Sequence, residues 1–412
     1  MSQQEGGFPP GKPLHGYRVL DLTRALAGPY CAMMLGDMGA DVIKVEDPTT
    51  GDEARTWGPP FLGTESTYYL SMNRNKRDIA IDFKQAEGLA LVLRLADRAD
   101  VVLQNFRPGV VDRLGIGYSA VSERNPGVIY CSISAYGQDG PMASMPGYDL
   151  ILQGVGGMMS VTGEKGGRPL KVGVAEADIV GGLIAGYSVL GALFERERLR
   201  QAGTTPRGRQ LDVSLLDGQV SLLGYHLVNH LLTGRVPQPA GNGLAYIVPY
   251  QSFQTQTFEV NVAVNNDRLW QSFCTALERS DLAADQRFAT NPQRVEQRAE
   301  LLALLEGIFL ERTGEEWLER LQQHGVPSGP INSIDRVVND PQVQARGMLV
   351  TLAHSLGAIT VPGAPWRLDR AEDQTAALPP PTLGQHTDDI LRNDLGLTDA
   401  TIKRLRAVGA VR

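Results

Sequence analysis

The segment with the clearest capacity for chemistry is residues 171–200, KVGVAEADIVGGLIAGYSVLGALFERERLR. Its short apolar run at 172–175 predicts a strand, and Asp178 then stands where a helix N-cap belongs. The unpaired N–H groups and the dipole at a helix N-terminus favour the charged form of a carboxylate. We therefore expect Asp178 to be ionised near neutral pH and, in a dry pocket, to act as a nucleophile. A simple capping role is the alternative, because aspartate is among the preferred capping residues.

The elements that must position this carboxylate begin near the N-terminus. Residues 17–22 and 41–46 are predicted strands, and the apolar spacing of residues 28–40 predicts a helix between them. Such β-α-β units build a parallel, doubly wound sheet, which binds ligands at the C-terminal ends of its strands. The turn at residues 24–28 is therefore a candidate site. It lacks the GxGxxG pattern, so a dinucleotide is not favoured there.

Polar side chains also follow other predicted strands. One strand ends in Asn105, Phe106 and Arg107, and Arg113 comes within the next helical turn. An amide, an aromatic ring and guanidinium groups suit a nucleotide-like ligand. Four basic residues flank a short predicted strand at 79–83, namely Arg74, Lys76, Arg77 and Lys84. These four residues are predicted either to hold phosphates or to form a solvated, charged turn.

Composition narrows the classes of partner and compartment. The 412-residue chain carries 39 Lys and Arg against 46 Asp and Glu, a net charge of −7, which argues against nucleic acid or an anionic membrane as the main partner. Three cysteines and the absence of a visible signal peptide favour a cytoplasmic location. The apolar stretch at 179–194 is too short and too glycine-rich to predict a membrane span. His226 and His230 lack the HExxH pattern, so no metal site is expected.

Changes in hydrophobic pattern and in Pro and Gly content along the sequence divide the chain into predicted domains. Residues 1–220 alternate predicted strands and helices, as in an α/β domain. A Pro- and Gly-rich linker at 221–240 leads to a smaller α+β domain at 241–335. A second linker at 336–375 precedes C-terminal helices at 376–412.

Several stretches together resemble the family III CoA-transferases, which include formyl-CoA and carnitine CoA-transferases. They occur in the family's order along nearly the whole chain: RVLDLTRALAGPYCAMMLGDMGADVIKVEDP, NRNKRDIAIDFK, NFRPGVVDRLG, PGYD, VGVAEADIVGG, GNGLAYIVPYQSF, GVPSGPI and LGQHTDDIL. The resemblance implies a Rossmann-like large domain built from both chain ends, plus a smaller α+β domain. It also implies an interlocked homodimer in which the C-terminal helices return to the large domain.

The resemblance further implies the chemistry of the site. Asp178 matches the family's nucleophile, and CoA and acyl-CoA would be substrates, with no prosthetic group and no metal. The positions that match the family's CoA-binding residues are Leu26, Ala27, Ile81, Asp82, Phe83, Lys84, Asn105, Phe106, Arg107, Arg113, Ser134, Ala135, Tyr136 and Gly137. Asp47 stands where some members place an arginine, so a phosphate contact there is not expected.

The acids exchanged are also suggested by the resemblance. Only Gly241, Asn242 and Gly243 stand where formyl-CoA transferases have four glycines, which argues against a formyl or oxalyl substrate. The segment GNGLAYIVPYQSF most resembles the branch that uses succinyl-CoA as donor and dicarboxylic acids as acceptors. A second carboxylate needs a cation or N–H donors to hold it, and Arg107 and residues 241–243 are the candidates.

Two other functions fit parts of this pattern. An α-methylacyl-CoA racemase resembles the chain but places a histidine where Tyr148 stands, and its chemistry needs a His/Asp pair of bases. A CoA-binding module without chemistry would keep the polar strand ends and would not need Asp178. Deuterium uptake at the α-carbon would identify a racemase, and CoA binding without exchange of acids would identify a module.

Overall fold

The computed structural model describes residues 11–367 and 377–412. Residues 1–10, where no signal peptide was predicted, and residues 368–375 of the predicted second linker lie outside these ranges. Contacts between residues divide the chain into two compact units. The large unit comprises residues 1–158, 172–231 and 345–412, and the small unit comprises residues 159–171 and 232–344. Both chain ends thus belong to the large unit, and residues 159–171, predicted within the large domain, group with the small one.

The helices and strands of the chain follow in order. As far as residue 233 they are β1 (Arg18–Asp21), α1 (Ala27–Asp37), β2 (Asp41–Glu46), β3 (Phe61–Leu62), β4 (Glu65–Ser66), α2 (Thr67–Met72), β5 (Lys76–Ala80), α3 (Ala86–Ala96), β6 (Val101–Gln104), α4 (Val110–Arg113), α5 (Tyr118–Arg124), β7 (Ile129–Ser134), α6 (Asp149–Val155), α7 (Met158–Val161), α8 (Glu176–Gln201), β8 (Arg209–Ser214) and α9 (Leu215–Thr233). The remainder are β9 (Tyr250–Phe253), β10 (Val260–Ala263), α10 (Asp267–Ala276), α11 (Ser280–Ala284), α12 (Asn291–Glu296), α13 (Arg298–Phe309), α14 (Gly314–Gln323), β11 (Ser328–Pro330), α15 (Ile334–Asn339), α16 (Pro341–Ala345), β12 (Leu349–His354), β13 (Gly357–Pro362), α17 (Thr387–Asp389), a π-helical turn (Ile390–Asp394) and α18 (Asp399–Ala407).

A six-stranded parallel sheet forms the centre of the large unit, in the order β5-β2-β1-β6-β7-β8. Its strands are apolar on both faces because both faces are covered. On one face, α3 and the C-terminal helices bury Leu91, Ile390 and Ile402 against the sheet. On the other face, α1 and α8 bury Cys31 and Val189. The sheet is therefore the middle layer of an α/β fold, as predicted.

The small unit has its own aromatic core and a three-stranded antiparallel sheet in the order β11-β10-β9. Phe253 and Phe309 stack at 4.5 Å between ring centroids, and Phe309 also contacts Trp317. The Thr313 side chain and the Glu316 side chain form a capping box that fixes the start of α14. This unit is α+β, with its helices following its first two strands.

The prediction of a strand at 172–175 is wrong. These residues form bends and irregular structure, and the Val172 N–H donates to the Gln153 side chain at 2.8 Å. The edge beside β7 is occupied by β8 instead. Four consecutive apolar residues are a weak strand signal, because their hydrophobic character does not specify a pairing partner.

One helix in the described ranges, α8, is long and apolar enough to span a membrane by length and composition alone. Its small residues pack closely on α1, where a Cβ at Gly182 would lie 2.6 Å from the Ala27 carbonyl oxygen. Residues along α8 pack against the sheet of the large unit.

Candidate active site

A cavity of about 270 Å³ opens at the C-terminal edge of the parallel sheet, within the large unit. It is bounded by the ends of β1, β6 and β7 and by the start of α8, which brings Asp178 to the same space. Its lining includes these predicted site residues: Leu26, Ala27, Asn105, Phe106, Arg107, Ser134, Ala135 and Asp178. The cavity therefore gathers the nucleophile candidate and the polar strand ends, where doubly wound sheets bind ligands.

Asp178 is not the N-cap of its helix. The helix α8 begins at Glu176, its N-cap is Ala175, and Asp178 is the third helical residue. The capping role passes to a neighbouring helix, because the Asp149 carboxylate accepts a hydrogen bond from the Ala177 N–H at 2.8 Å. In the described part of the chain, no hydrogen-bond donor engages the Asp178 carboxylate, which leaves its oxygens available to the cavity.

Burial, together with the charge of the nearby Asp149 carboxylate, raises the pKa of Asp178 to about 7. The expectation of a fully ionised Asp178 at neutral pH is therefore wrong. The helix dipole favours the anion, but desolvation and a second carboxylate outweigh it. A carboxylate with a raised pKa is also a stronger base, so Asp178 gains nucleophilic character once it loses its proton.

The turn after β1 forms one wall of the cavity. Asn105 fixes this turn through two hydrogen bonds: the Arg24 N–H donates to Asn105 Oδ1 at 2.9 Å, and Asn105 Nδ2 donates to the Arg24 carbonyl at 2.7 Å. Ala25 adopts a left-handed backbone conformation, with φ of 66°. The helix α1 then begins at Ala27, and a Cβ at Gly28 would collide with Thr23 at 2.3 Å. The glycine is thus required by close packing.

Aromatic and cationic groups cluster beside this turn. The Arg24 guanidinium lies 4.7 Å from the centroid of the Phe106 ring, which also meets Phe83 edge-on at 6.2 Å. The side chain of Arg107 is exposed and lines the cavity. Ser134 Oγ is buried at the end of β7 without a hydrogen-bond partner among the described residues. A free hydroxyl and two cations are therefore available to a polar ligand at this edge.

The remaining predicted CoA contacts lie outside the cavity lining. Ile81 is buried in the core and pairs with Val411. Asp82 accepts hydrogen bonds from the Lys84 N–H and the Gln85 side chain. Lys84 itself is exposed, with its Nζ 3.5 Å from an Asp47 carboxylate oxygen. The others are Phe83, Arg113, Tyr136 and Gly137, of which Arg113 is exposed and Tyr136 is buried.

Three of the four basic residues predicted as phosphate ligands are engaged within the protein. Arg74 pairs with Asp37 in the interior, and the fully buried Lys76 Nζ lies 2.9 Å from an Asp21 oxygen. Arg77 bridges Asp41 and Asp394. For these three residues the prediction of a phosphate site is wrong, because their charges are already neutralised by carboxylates. Lys84 alone of the four is more than half exposed.

Sequence reasoning missed several residues of the site. The cavity is also lined by Glu53, Met145 and Pro146, and Asp149 lies beside it through its contact with α8. The PGYD motif was noted only for its tyrosine, although its aspartate is the charge that acts on Asp178. Burial, with Asp178 and Asp149 as further causes, also raises the pKa of Tyr68 to about 12. These residues are scattered over the sequence, so only the fold reveals their proximity.

The segment proposed for acceptor recognition lies in the small unit. The Gly241 N–H donates to the Gly163 carbonyl at 2.9 Å, and Gly241 has a φ of 61° that glycine tolerates readily. Asn242 Nδ2 donates to Ser252 Oγ at 2.9 Å, and Ser252 donates to Asn261. The segment is thus tied to the three-stranded sheet. Among the described residues, no group of three or more His, Cys, Asp or Glu is arranged to hold a metal ion.

Comparison with known proteins identifies the family. A model described as CoA-transferase family III matches residues 14–387. The chain belongs to this family. It is 40% identical over 401 residues to the succinyl-CoA:glutarate CoA-transferase of Homo sapiens, an alignment that covers 97% of this chain and 90% of the relative. It is also 40% identical over 394 residues to the succinate–glutarate CoA-transferase of Agrobacterium fabrum, covering 92% and 95%.

A solved structure supports the same assignment. The crystal structure of a CAIB/BAIF family protein from Brucella suis superposes with a TM-score of 0.82 at 40% identity, covering 93% of this chain and 99% of that one. The family resemblance inferred from the motifs is therefore confirmed, and the protein is a family III CoA-transferase that uses CoA thioesters as substrates.

Proposed function

We propose that this CoA-transferase moves CoA from succinyl-CoA to a dicarboxylic acid by way of covalent intermediates on Asp178. The observation that carries the proposal is the Asp178 carboxylate, unengaged and with a pKa near neutrality, in a cavity formed by the strand ends. The names of the human and Agrobacterium relatives favour this donor and this class of acceptor.

The first half of the reaction transfers CoA to the enzyme. An Asp178 oxygen attacks the thioester carbonyl carbon, the C–S bond breaks, and CoA leaves as a thiolate, which gives a mixed anhydride. The thiolate then attacks the Asp178 carbonyl carbon, releasing the donor acid and leaving an aspartyl-CoA thioester. The anhydride and the aspartyl thioester are both activated carbonyl compounds, so the free energy of the donor thioester is not lost by hydrolysis.

The second half reverses these steps with the acceptor. The acceptor carboxylate attacks the aspartyl thioester and again forms an anhydride and CoA thiolate. The thiolate attacks the carbonyl carbon derived from the acceptor, which produces the new acyl-CoA and restores the Asp178 carboxylate. Every step exchanges oxygen and sulfur nucleophiles at a carbonyl, so proton transfer is limited to bringing Asp178 into its ionised form.

CoA would lie along the strand ends with its thiol at Asp178. Asn105, Phe106, Ser134 and Ala135 border the cavity where the pantetheine arm would run. The adenosine end would lie towards residues 81–84, where the exposed Lys84 supplies positive charge, and Arg113 would hold a phosphate. The acyl group would then face Leu26 and Ala27 on the opposite wall.

The candidates to hold the second carboxylate of the acceptor are Arg107, at the cavity of the large unit, and the backbone at residues 241–243, in the small unit. Arg107 is an exposed guanidinium at the cavity, and its planar fork suits a carboxylate. One methylene in the acceptor changes binding by only about 1–3 kcal/mol, so several dicarboxylic acids would be accepted with different efficiencies.

The proposal includes association of two copies of the chain into a homodimer. The large unit exposes Tyr187, Phe194 and Leu231 on α8 and α9, each by more than 60% of its surface. Apolar side chains of this size are normally covered by a partner. We expect a cytoplasmic, interlocked homodimer without a nucleic-acid or membrane partner. Two interlocked chains cannot separate without opening a chain, so mixed dimers of differently tagged enzymes should not exchange subunits over hours.

The decisive experiment follows CoA esters by mass spectrometry. Succinyl-CoA is supplied with C4 to C6 dicarboxylic acids in one set and with monocarboxylic acids in the other, using wild type and Asp178→Ala. We expect new dicarboxylyl-CoA esters from the wild type alone, and a modified Asp178 after borohydride reduction of enzyme mixed with acyl-CoA. Full activity of Asp178→Ala would contradict the covalent mechanism.

The same panel separates the alternatives. Equal or faster transfer to monocarboxylic acids would overturn the acceptor class and leave the covalent mechanism intact. Deuterium uptake from D₂O at the α-carbon of a branched acyl-CoA, without exchange of acids, would instead indicate racemase chemistry, which Tyr148 disfavours because it replaces the second base.

A further inference from the structure

A buried ion pair is hydrogen-bonded to the turn at residues 23–26, which lines the same cavity as Asp178. Lys44 on β2 and Asp52 in the following loop have side chains with no solvent exposure, and Lys44 Nζ lies 2.8 Å from an Asp52 oxygen. Neither residue lines the cavity. Burying two charges is costly unless further hydrogen bonds satisfy their remaining polar atoms, so both side chains are expected to bind neighbouring polar groups.

Both members of the pair bind the backbone of the turn at residues 23–26. Lys44 Nζ donates to the Thr23 carbonyl at 2.8 Å, and the Ala25 N–H donates to Asp52 Oδ1 at 3.0 Å. The pair therefore holds the turn on both sides of Arg24. Asp52 is itself oriented, because the Ala54 N–H donates to the same Oδ1 at 3.0 Å.

The held residue has an unfavourable backbone conformation. Ala25 has a φ of 66°, in the left-handed region where a Cβ is sterically disfavoured. Without an external hydrogen bond such a residue returns readily to a right-handed or extended conformation. That change would redirect Leu26 and Ala27, the two residues that follow and that line the same cavity as Asp178.

We infer that Lys44 and Asp52 are positioning residues for CoA transfer: Asp52, locked by Lys44, holds Ala25 in its left-handed conformation and so fixes the wall that the reacting thioester meets. The inference rests on the proposed function for its catalytic consequence. Its structural content, the control of the turn at residues 23–27, is independent of turnover.

The electrostatics agree with a permanently charged Lys44 ammonium. Burial by itself would lower the pKa of Lys44, but the Asp52, Asp21 and Glu46 carboxylates raise it above the usual lysine value. Lys76, which pairs with Asp21, and Arg55, which pairs with Glu46, are further cations within this buried network. Lys44 is therefore an ammonium throughout the working pH range and keeps Asp52 fixed.

The experiment compares wild type, Asp52→Ala and the double variant Asp52→Ala/Ala25→Gly. In Asp52→Ala we expect amide hydrogen exchange in the peptide covering residues 23–27 to accelerate at least tenfold, because the Ala25 N–H loses its acceptor. We expect kcat with succinyl-CoA to fall at least tenfold and KM to change less than threefold, because small misplacements of reacting groups chiefly affect the chemical step.

The double variant separates positioning from folding. Glycine adopts a φ near 66° without a steric penalty, so Ala25→Gly should restore the turn, and with it at least threefold in kcat, in the absence of Asp52. The melting temperature should stay low, because Lys44 remains buried without its partner. If Asp52 served only to stabilise the fold, kcat and the melting temperature would either both recover in the double variant or both stay low.

Asp37→Ala is the matched control, since it also strands a buried cation, Arg74, at a place outside the cavity lining. It should lower the melting temperature and leave both the exchange of residues 23–27 and kcat per folded enzyme unchanged. Unchanged exchange in Asp52→Ala, or a double variant with no recovery of kcat, would overturn the inference. Wild-type enzyme without any CoA transfer would overturn the proposed function instead, and the exchange measurement would still decide the role of the pair.

Discussion

Asp178 shows how a single environment gives a residue two opposing properties. Removal of water around its carboxylate strengthens its basicity and prevents hydrolysis of an anhydride, but the same desolvation makes the anion harder to form. Asp149 adds to this effect by placing a second negative charge beside the first. The charge of this proposed nucleophile therefore changes with pH near neutrality, in contrast to that of an exposed aspartate.

The first prediction concerns the pH dependence of turnover. With a pKa of about 7, Asp178 is protonated and unreactive in acid, so kcat/KM for succinyl-CoA should fall about tenfold per pH unit below that value. Asp149→Asn keeps an oxygen that accepts the Ala177 N–H and removes the charge, so the acidic limb should move to lower pH. Steady-state rates between pH 5 and 9 measure the shift.

Glu53→Gln is the control for this pH profile. Glu53 also lines the cavity, but it is not among the groups that raise the pKa of Asp178. Its neutralisation should leave the acidic limb in place. An acidic limb that stays fixed in Asp149→Asn would show that burial alone sets the pKa.

The second prediction concerns stability. The folded-state pKa of Asp178 lies above its unfolded value near 3.8, so the folded state loses stability as pH rises from about 4 through about 7. Asp178→Asn removes this loss and should stabilise the fold at pH 8 by about 2–4 kcal/mol. At pH 4 the effect should vanish. Denaturant titrations at both pH values test this, and a variant less stable than wild type at pH 8 would contradict it.

At the scale of elements, the distance between α8 and α1 decides where Asp178 stands. Glycines at the contact let the two helices approach closely, and Gly182 lies against the carbonyl of Ala27, a residue of the cavity wall. The same contact therefore sets the separation between Asp178 and Ala27, both of which line the cavity. If Asp178 is the nucleophile, as proposed, the packing of these helices also affects catalysis.

The third prediction tests this contact. In Gly182→Ala the new Cβ would lie 2.6 Å from the Ala27 carbonyl oxygen, a backbone atom that has little freedom to move. The helices should separate, which should lower stability by about 1–3 kcal/mol and kcat by more than tenfold. Thermal unfolding and steady-state rates with succinyl-CoA provide both measurements.

Gly186→Ala is the matched control, one helical turn further along the same face. Its Cβ would meet the flexible end of Met34 at 3.4 Å, so the helices need not move. Alanine is the better helix former by about 1 kcal/mol, and this variant should be as stable as wild type or slightly more so. Equal losses in both variants would mean that any side chain on this face is disruptive.

The elements were predictable from the sequence where hydrophobic periodicity is strong. The predicted strand at 41–46 agrees with β2 to the residue, and the predicted helix at 28–40 covers all of α1 except its first residue. Pairing is harder to predict, and the predicted strand at 172–175 does not form. Ion pairs such as Lys76 with Asp21 join residues that are far apart in sequence. Local spacing does not show these pairs, and for this reason the basic residues near β5 were predicted as possible phosphate ligands.

For the molecule as a whole, the order of the motifs identified the family, and the alternation of predicted strands and helices identified the α/β sheet. The other residues of the site depend on which parts of the chain the fold brings together. Asp178 was found because its motif is local. Asp149, Glu53 and Met145 enter the site only because α6 and the loops fold back over the strand ends. The grouping of residues 159–171 with the small unit likewise depends on a contact across the chain, the Gly241 N–H with the Gly163 carbonyl.

The last prediction concerns the apolar surface of α8 and α9. Tyr187 is 79% exposed and Phe194 is 67% exposed on α8, and Leu231 is 73% exposed on α9. We expect sedimentation equilibrium to give a dimer of the 44.6 kDa chain at micromolar concentration. Tyr187→Glu/Phe194→Glu should prevent assembly of the dimer or unfold it, since charges cannot be buried there without partners. Val408→Glu changes an exposed apolar residue at the C-cap of α18 and should leave the dimer intact. A wild-type monomer at this concentration would mean that the surface is covered by a different partner.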